Sequence, residues 1–215
     1  GPNSVLVRDS KRTIIRNLEA DRILIAVGGY ACRPDIEGSS LAWISDDMFL
    51  QKTLPKNVVI VGAGFIACEF ACILNGLGVN VTQLIRGDFL LKGFDKELSD
   101  VLKDEMRKKG IELRFGTNII SIKGSKGDLS VNVSDENIIR CGGVLFATGR
   151  KPLLNGLKLD LVKIDFSDER IVVDENNVTN ISNIYAIGDV TNRINLTPVA
   201  IDEGRAFADR IYGRN

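Results

Sequence analysis

The chain has 215 residues, 44% of them apolar, and its 28 basic side chains balance 28 acidic ones, so its formal net charge is zero. That length supplies core for one or two domains, and the missing basic surplus gives no support to a nucleic-acid or membrane-surface partner. Histidine is absent, which rules out imidazole-ligated zinc, Ser-His-Asp triads and Cys-His nucleophiles made from this chain alone. No apolar run reaches the roughly 20 residues of a membrane span. No secretory leader is expected, and Gly1-Pro2 reads as a tag-cleavage remnant outside the fold.

Residues 5–8 and 12–16 read as strands flanking a turn-like Asp9-Ser10-Lys11, and residues 22–27 as a third strand running into Gly28-Gly29. Residues 30–38, with Pro34 and Gly38, read as a crossing linker, and Ser45-Asp46-Asp47 as the cap of a short helix. Residues 57–61 form the continuous apolar run of a buried parallel strand, followed by helix-compatible sequence over 65–77 and a second strand over 79–85. Asp95 is placed to cap a helix in which Leu98, Val101, Leu102, Glu105 and Met106 fall at helical spacing, with Gly110 beyond its end. A strand over 111–115 completes β-α-β-α-β. Alternation over 119–140 predicts an antiparallel meander before a strand at 143–147. Short strands at 171–173 and 184–187 and a final helix over about 198–212 close the pattern. The fold class is α/β: a Rossmann-like parallel sheet with an antiparallel meander.

Gly62-Ala63-Gly64-Phe65-Ile66-Ala67 is G-x-G-x-x-A between an apolar strand and a helix. Gly62 permits the tight turn, and Gly64 lets a pyrophosphate approach the backbone and the N–H groups of the helix start. Ala67 lets helix and strand pack closely. Three small residues alone are equally a ligand-free βα turn; the strand before, the helix after and the second strand favour dinucleotide binding. That second strand ends Gln83-Leu84-Ile85-Arg86, where a site for NAD(H) usually has a carboxylate for the ribose hydroxyls. Arg86 followed by Lys92 suits a 2′-phosphate instead. The reading is NADP(H), with two solvated surface cations as the bland alternative.

Seven stretches carry a resemblance: Ile25-Ala26-Val27-Gly28-Gly29; the linker from Pro34 to Gly38; the glycine turn with Cys68-Glu69-Phe70; Arg86-Gly87 with Leu91-Lys92-Gly93-Phe94-Asp95; Ala147-Thr148-Gly149-Arg150; Tyr185-Ala186-Ile187-Gly188-Asp189-Val190; and Leu196-Thr197-Pro198-Val199-Ala200. In this order they resemble signposts of the flavoprotein disulfide reductases of the glutathione reductase type, trypanothione reductases included. The resemblance implies that Gly62, Gly64 and Ala67 cradle the NADPH pyrophosphate and that Arg86 and Lys92 hold its 2′-phosphate, Lys92 standing where an arginine is usual. Phe65 matches the aromatic gate over the flavin, where tyrosine is common. Ile66 and Glu69 flank the nicotinamide, and Ala147, Thr148, Gly149 and Arg150 line the far side of the cleft. Asp189, after Gly188, would accept hydroxyl bonds from the FAD ribityl chain, with Leu196, Thr197 and Pro198 by the ring.

The family's N-terminal flavin fingerprint, its C-x4-C redox pair and a histidine acid/base are missing from this sequence. The chain is therefore expected to be a fragment with no catalytic residue of its own. Residues 48–150 would bind NADP(H), and residues 1–47 and 151–215 would be pieces of an FAD domain. The parent would be a homodimeric, cytoplasmic enzyme carrying electrons from NADPH through FAD to glutathione disulfide, while the fragment would be monomeric, inactive and a poor holder of FAD. Cys68 and Cys72, one helical turn apart, read as buried small thiols, and Cys32 and Cys141 as incidental ones; none forms a metal pattern. Alternatives are trypanothione or thioredoxin reductase, an NADPH dehydrogenase serving a quinone or protein, and a non-catalytic NADP(H) sensor.

Overall fold

The computed structural model describes residues 1–9, 11 and 13–213. Their contacts divide the chain into two compact units: the described residues of Gly1–Tyr30 with Arg150–Asn215, and Ala31–Gly149.

In the Ala31–Gly149 unit, four parallel strands lie in the order Gly143–Phe146, Asn57–Val61, Asn80–Ile85, Glu112–Phe115. Both faces are covered, which is why residues 58–61 and 144–146 of the two neighbouring strands are apolar in succession. Val58 and Ile60 pack toward the helices Phe65–Gly76 and Lys96–Lys108, with Ala67, Ala71, Leu74 and Met106. Val59 and Val61 face the other way, onto Ile122, Leu129, Val131 and Val133. Those four belong to the antiparallel meander Ile119–Ser125, Asp128–Val133, Ile138–Cys141. Period-2 alternation inside an all-apolar strand thus feeds two cores at once.

Residues 31–47 belong to this unit, so its first edge lies earlier in the chain than the expected residue 48. The cause is local. The Trp43 N–H donates to the Val144 carbonyl at 2.7 Å and the Phe146 N–H to the Trp43 carbonyl at 2.9 Å. The Trp43 ring lies over Gly143, where a Cβ would come within 2.1 Å of Cη2.

Two local readings are sharpened by the structure. The helix Ser45–Met48 has Ile44 at its N-cap, and of Ser45, Asp46 and Asp47 it is Asp47 whose carboxylate accepts the Ile44 N–H, at 2.8 Å. In the helix Lys96–Lys108, Leu98 and Val101 are each 62% exposed, whereas Ser99 and Met106 are buried. Positions 98, 101 and 105 and positions 99, 102 and 106 have the same spacing, so period alone could not choose between them. Ser99 is drawn inward by its hydroxyl donating to the Leu90 carbonyl at 2.8 Å. Asp95 does cap this helix, accepting the Glu97 N–H at 2.8 Å.

In the other unit, Ile23–Ile25 and Ile184–Ala186 pair in parallel over a core of Ile25, Leu159, Ile164, Ile171 and Val190. The helix Thr197–Tyr212 packs Phe207 edge-on against Tyr185, ring centroids 4.9 Å apart. The expected strand at 171–173 is shorter, because only Arg170–Ile171 pairs, with Phe166–Ser167. Residues 30–38 are not all linker, since Gly29–Ala31 is a strand beside Arg150–Pro152. Ser4–Arg8 and Ile14–Glu19 form a two-stranded antiparallel ribbon, Val5 opposite Leu18 and Leu6 opposite Asn17. The predicted turn and second strand include Ser10 and Arg12, which lie outside the described residues.

Candidate functional site

The strand Asn57–Val61 runs into Gly62-Ala63-Gly64, and the helix Phe65–Gly76 begins at once. Strand order and the parallel register of Val61 with Phe146 put this turn where neighbouring strands lead in different directions. That is the crevice in which open α/β sheets bind ligands. The two glycines serve different ends. Gly62 has φ of +142°, and a Cβ on it would stand 2.3 Å from the Ala147 carbonyl oxygen. Glycine is required there by backbone and neighbour alike. Gly64 has φ of −79°, open to any residue, and a Cβ on it would meet nothing within 4 Å. What lies over Gly64 is free space at a helix start that no side chain caps. A cradle of uncommitted N–H groups facing open volume fits a pyrophosphate. Ala67, beneath it, is fully buried against the sheet.

Two peptides of the turn are fixed by their carbonyls. Gln83, fully buried on the neighbouring strand, donates from Nε2 to the Gly62 carbonyl at 2.9 Å. The Leu91 N–H donates to the Ala63 carbonyl at 2.7 Å, which draws the loop after Ile85 onto the turn and brings Lys92, the next residue, with it. Arg86 and Lys92 are both exposed and have no ion-pair partner among the described residues. Uncommitted cations beside a phosphate cradle fit the additional phosphate of NADP(H).

The remaining expected residues fall into two groups. Phe65 and Ile66 are half-buried and Glu69 exposed, all in the first five residues of the helix. Ala147 flanks Gly62 directly. Thr148 and Gly149 are tied to Cys32, the Thr148 hydroxyl donating to its carbonyl at 3.0 Å and its N–H donating to the Gly149 carbonyl at 2.9 Å. Arg150 falls in the other unit. It donates to the Gly29 carbonyl and pairs through Nε with Asp189 Oδ2 at 3.5 Å, so its charge is already engaged.

Gly188, at φ of +71°, opens the turn that carries Asp189. Its N–H donates to Glu203 Oε2 at 2.7 Å, and Glu203 Oε1 accepts from Arg193 Nη2 at 3.1 Å. Leu196, Thr197 and Pro198 form the entry of the helix Thr197–Tyr212, with proline in the first turn, where its missing N–H is harmless. A carboxylate and an uncapped helix start fit part of a flavin site. Gln83 and Glu203 were not expected from sequence. Gln83 betrays itself as a lone amide at the inward position of Val81-Thr82-Gln83-Leu84-Ile85; nothing local marks Glu203.

The thiols differ from expectation at one position. Cys68 is buried, and burial pushes its pKa up, while Cys72 is exposed. The helix buries Ala67, Cys68, Ala71 and Leu74, a stripe whose edge excludes position 72. Burial pushes the Cys141 thiol up to about 11. All four cysteines are free, and no cluster that could hold a metal occurs among the described residues.

Comparison with known proteins adds the family. The pyridine nucleotide-disulphide oxidoreductase family matches residues 3–204. The chain belongs to this family. Among its relatives, a glutathione reductase of Burkholderia cepacia is 44% identical over 214 residues, and one of Nostoc sp. (strain PCC 7120 / SAG 25.82 / UTEX 2576) is 41% identical over 213. These alignments take in 99% and 93% of this chain and 46% of each relative, so the chain spans about half the length of the curated relatives it matches. Among solved structures, a Cu(II) complex of the HOCl-induced flavoprotein disulfide reductase RclA from Escherichia coli superposes with a TM-score of 0.88 at 26% identity. It matches over 99% of this chain and 48% of that one. Membership brings with it a pyridine nucleotide and a flavin as the family's cofactors.

Proposed function

We propose that the Ala31–Gly149 unit is the NADPH-binding part of a glutathione-disulfide reductase, and that Gly188, Asp189, Leu196, Thr197 and Pro198 form part of its FAD site. The observation that carries this reading is the open volume over Gly64 at an uncapped helix start, with the unengaged Arg86 and Lys92 beside it. Ala63, Gly64 and the first helical residues hold the pyrophosphate through backbone N–H groups, and the two cations select the 2′-phosphate. Phe65 gates the approach of the nicotinamide end, Ile66 and Glu69 flank it, and Thr148 and Gly149, anchored through Cys32, border the cleft. When bound, NADPH supplies a hydride and FAD accepts it, for electrons that end on glutathione disulfide. This chain's contribution is position and charge, with no group of its own that breaks a bond.

The two relatives at 41–44% identity support glutathione disulfide over other disulfides as substrate. This polypeptide alone binds NADP(H) and holds FAD poorly, and because the cysteines at 32, 68, 72 and 141 include no C-x4-C pair it reduces no disulfide. Four free thiols support a reducing compartment, the cytoplasm, and the enzyme it serves is a homodimer. Calorimetric titration tests the core of the reading: NADPH binds at least tenfold more tightly than NADH. Equal affinities, or none, defeat it, and robust glutathione-dependent NADPH oxidation by this polypeptide refutes the division of labour.

A further inference from the structure

The helix-facing positions of the strand Asn80–Ile85 read Val81, Gln83, Ile85, an amide between two core aliphatics. Gln83 has no exposure to solvent, and only half of its amide is satisfied. Nε2 donates to the Gly62 carbonyl at 2.9 Å and lies 3.8 Å from Cys68 Sγ, whereas Oε1 is buried without a partner among the described residues. An aliphatic residue would fill the place without stranding an acceptor, so the amide is not explained by packing. The opposite amide orientation would set Oε1 against a carbonyl oxygen, which fixes the assignment.

What the bond does follows from the planarity of the peptide group. No peptide among the described residues is cis, so the Gly62 carbonyl and the Ala63 N–H point in opposite directions. Holding that carbonyl down into the core turns the Ala63 N–H out toward the open side of the turn, where it has no acceptor among the described residues. The Leu91 N–H on the Ala63 carbonyl does the same for the Gly64 N–H. Gly62, with no side chain to restrict it, would otherwise leave its peptide free to rotate.

We propose that Gln83 is a positioning residue for the dinucleotide pyrophosphate: by pinning the Gly62 carbonyl it pre-aims the Ala63 N–H at the phosphate. This rests on the NADPH reading above. The test is calorimetry on the full chain and on Gln83→Leu, with NADPH and with adenosine 2′-monophosphate. The monophosphate carries the phosphate met by Arg86 and Lys92 but no pyrophosphate. Gln83→Leu weakens NADPH about tenfold, or about 1.4 kcal/mol, leaves adenosine 2′-monophosphate unchanged, and keeps the melting temperature close to that of the parent. Unchanged NADPH affinity overturns the proposal, and so does an equal loss for both ligands, which marks a general structural role. Absence of NADPH binding by the unmodified chain is the separate result that removes the functional reading, and this proposal with it. Should Gln83→Leu not fold, the unbranched Gln83→Met takes the same titrations, and the same losses support or overturn the proposal.

Discussion

Gly62→Ala and Gly64→Ala add the same methyl group two residues apart and should fail in opposite ways. At Gly62 the new Cβ would lie 2.3 Å from the Ala147 oxygen and 2.9 Å from its carbon, on a backbone at φ of +142°. Residues held in sparsely populated backbone regions cost about 1–3 kcal/mol, and forcing an extra methyl into packed surroundings costs about as much again. A loss of about 2–6 kcal/mol, or a fall in melting temperature of roughly 8–24 °C at about 4 °C per kcal/mol, is expected for a unit of this size. At Gly64 the methyl meets nothing within 4 Å and the φ of −79° suits alanine, so stability should stay within about 0.5 kcal/mol. Binding should fall there instead by roughly 10- to 150-fold, the worth of one charge-assisted hydrogen bond to phosphate. The assay is built in, because the chain's one tryptophan, Trp43, packs over Gly143 in the same unit and its fluorescence follows that unit's unfolding. Calorimetry with NADPH supplies the binding arm. If Gly64→Ala melts as early as Gly62→Ala, or binds NADPH as the parent does, the assignment of one glycine to packing and the other to ligand is mistaken.

Arg86→Ala should weaken NADPH by roughly 10- to 150-fold while leaving NADH unchanged, measured by the same titration, because the lost bond is to the 2′-phosphate alone. Glu203→Ala strands the Gly188 N–H, whose acceptor it is at 2.7 Å, and takes from Arg193 its carboxylate partner at 3.1 Å, leaving the Asp174 carbonyl as acceptor at 3.3 Å. A loss of about 1–3 kcal/mol is expected, with Glu203→Gln less harmful, as read from thermal melts. In native protein at pH 8, a thiol reagent should modify exposed Cys72 and spare Cys68 and Cys141 until unfolding. Burial raises the Cys141 thiol from an ordinary 9.0 to about 11, so the folded chain keeps a proton that the unfolded chain loses. The stability this gives is intact below pH 9 and drains away as pH rises toward 11; Cys141→Val should flatten that decline in alkaline denaturation curves.

The dinucleotide unit was legible because its signals are local. An uninterrupted Val-Val-Ile-Val run, two glycines at fixed spacing and an aspartate cap each act within a few residues, and each is found where its chemistry predicts. What stayed hidden depends on contacts across long separations. Trp43 joins the sheet edge at Leu145, about a hundred residues on, so no composition shift near residue 47 could mark the edge of the unit. Gln83 stands out in the sequence only as an amide at an inward strand position, and the Gly62 carbonyl that it meets 21 residues earlier cannot be read from that. Arg150 follows a motif tied to the nucleotide by resemblance, yet its guanidinium meets Asp189, and sequence adjacency carries no information about which neighbour wins the charge. Leu98 and Val101 show the limit of periodicity: it finds a helix and its period, but a serine hydroxyl reaching for a carbonyl decides the rotation.

The ribbon Ser4–Arg8 with Ile14–Glu19 is exposed along nearly its whole length, with Val5, Leu6, Ile14, Ile15 and Leu18 all in water. Two strands alone are marginally stable, and bare edges lined by branched aliphatics are templates for further strands. Concentrated solutions of this polypeptide should therefore self-associate edge to edge, in proportion to protein rather than to salt or cofactor. Ile15→Lys is the simplest change to keep it monodisperse.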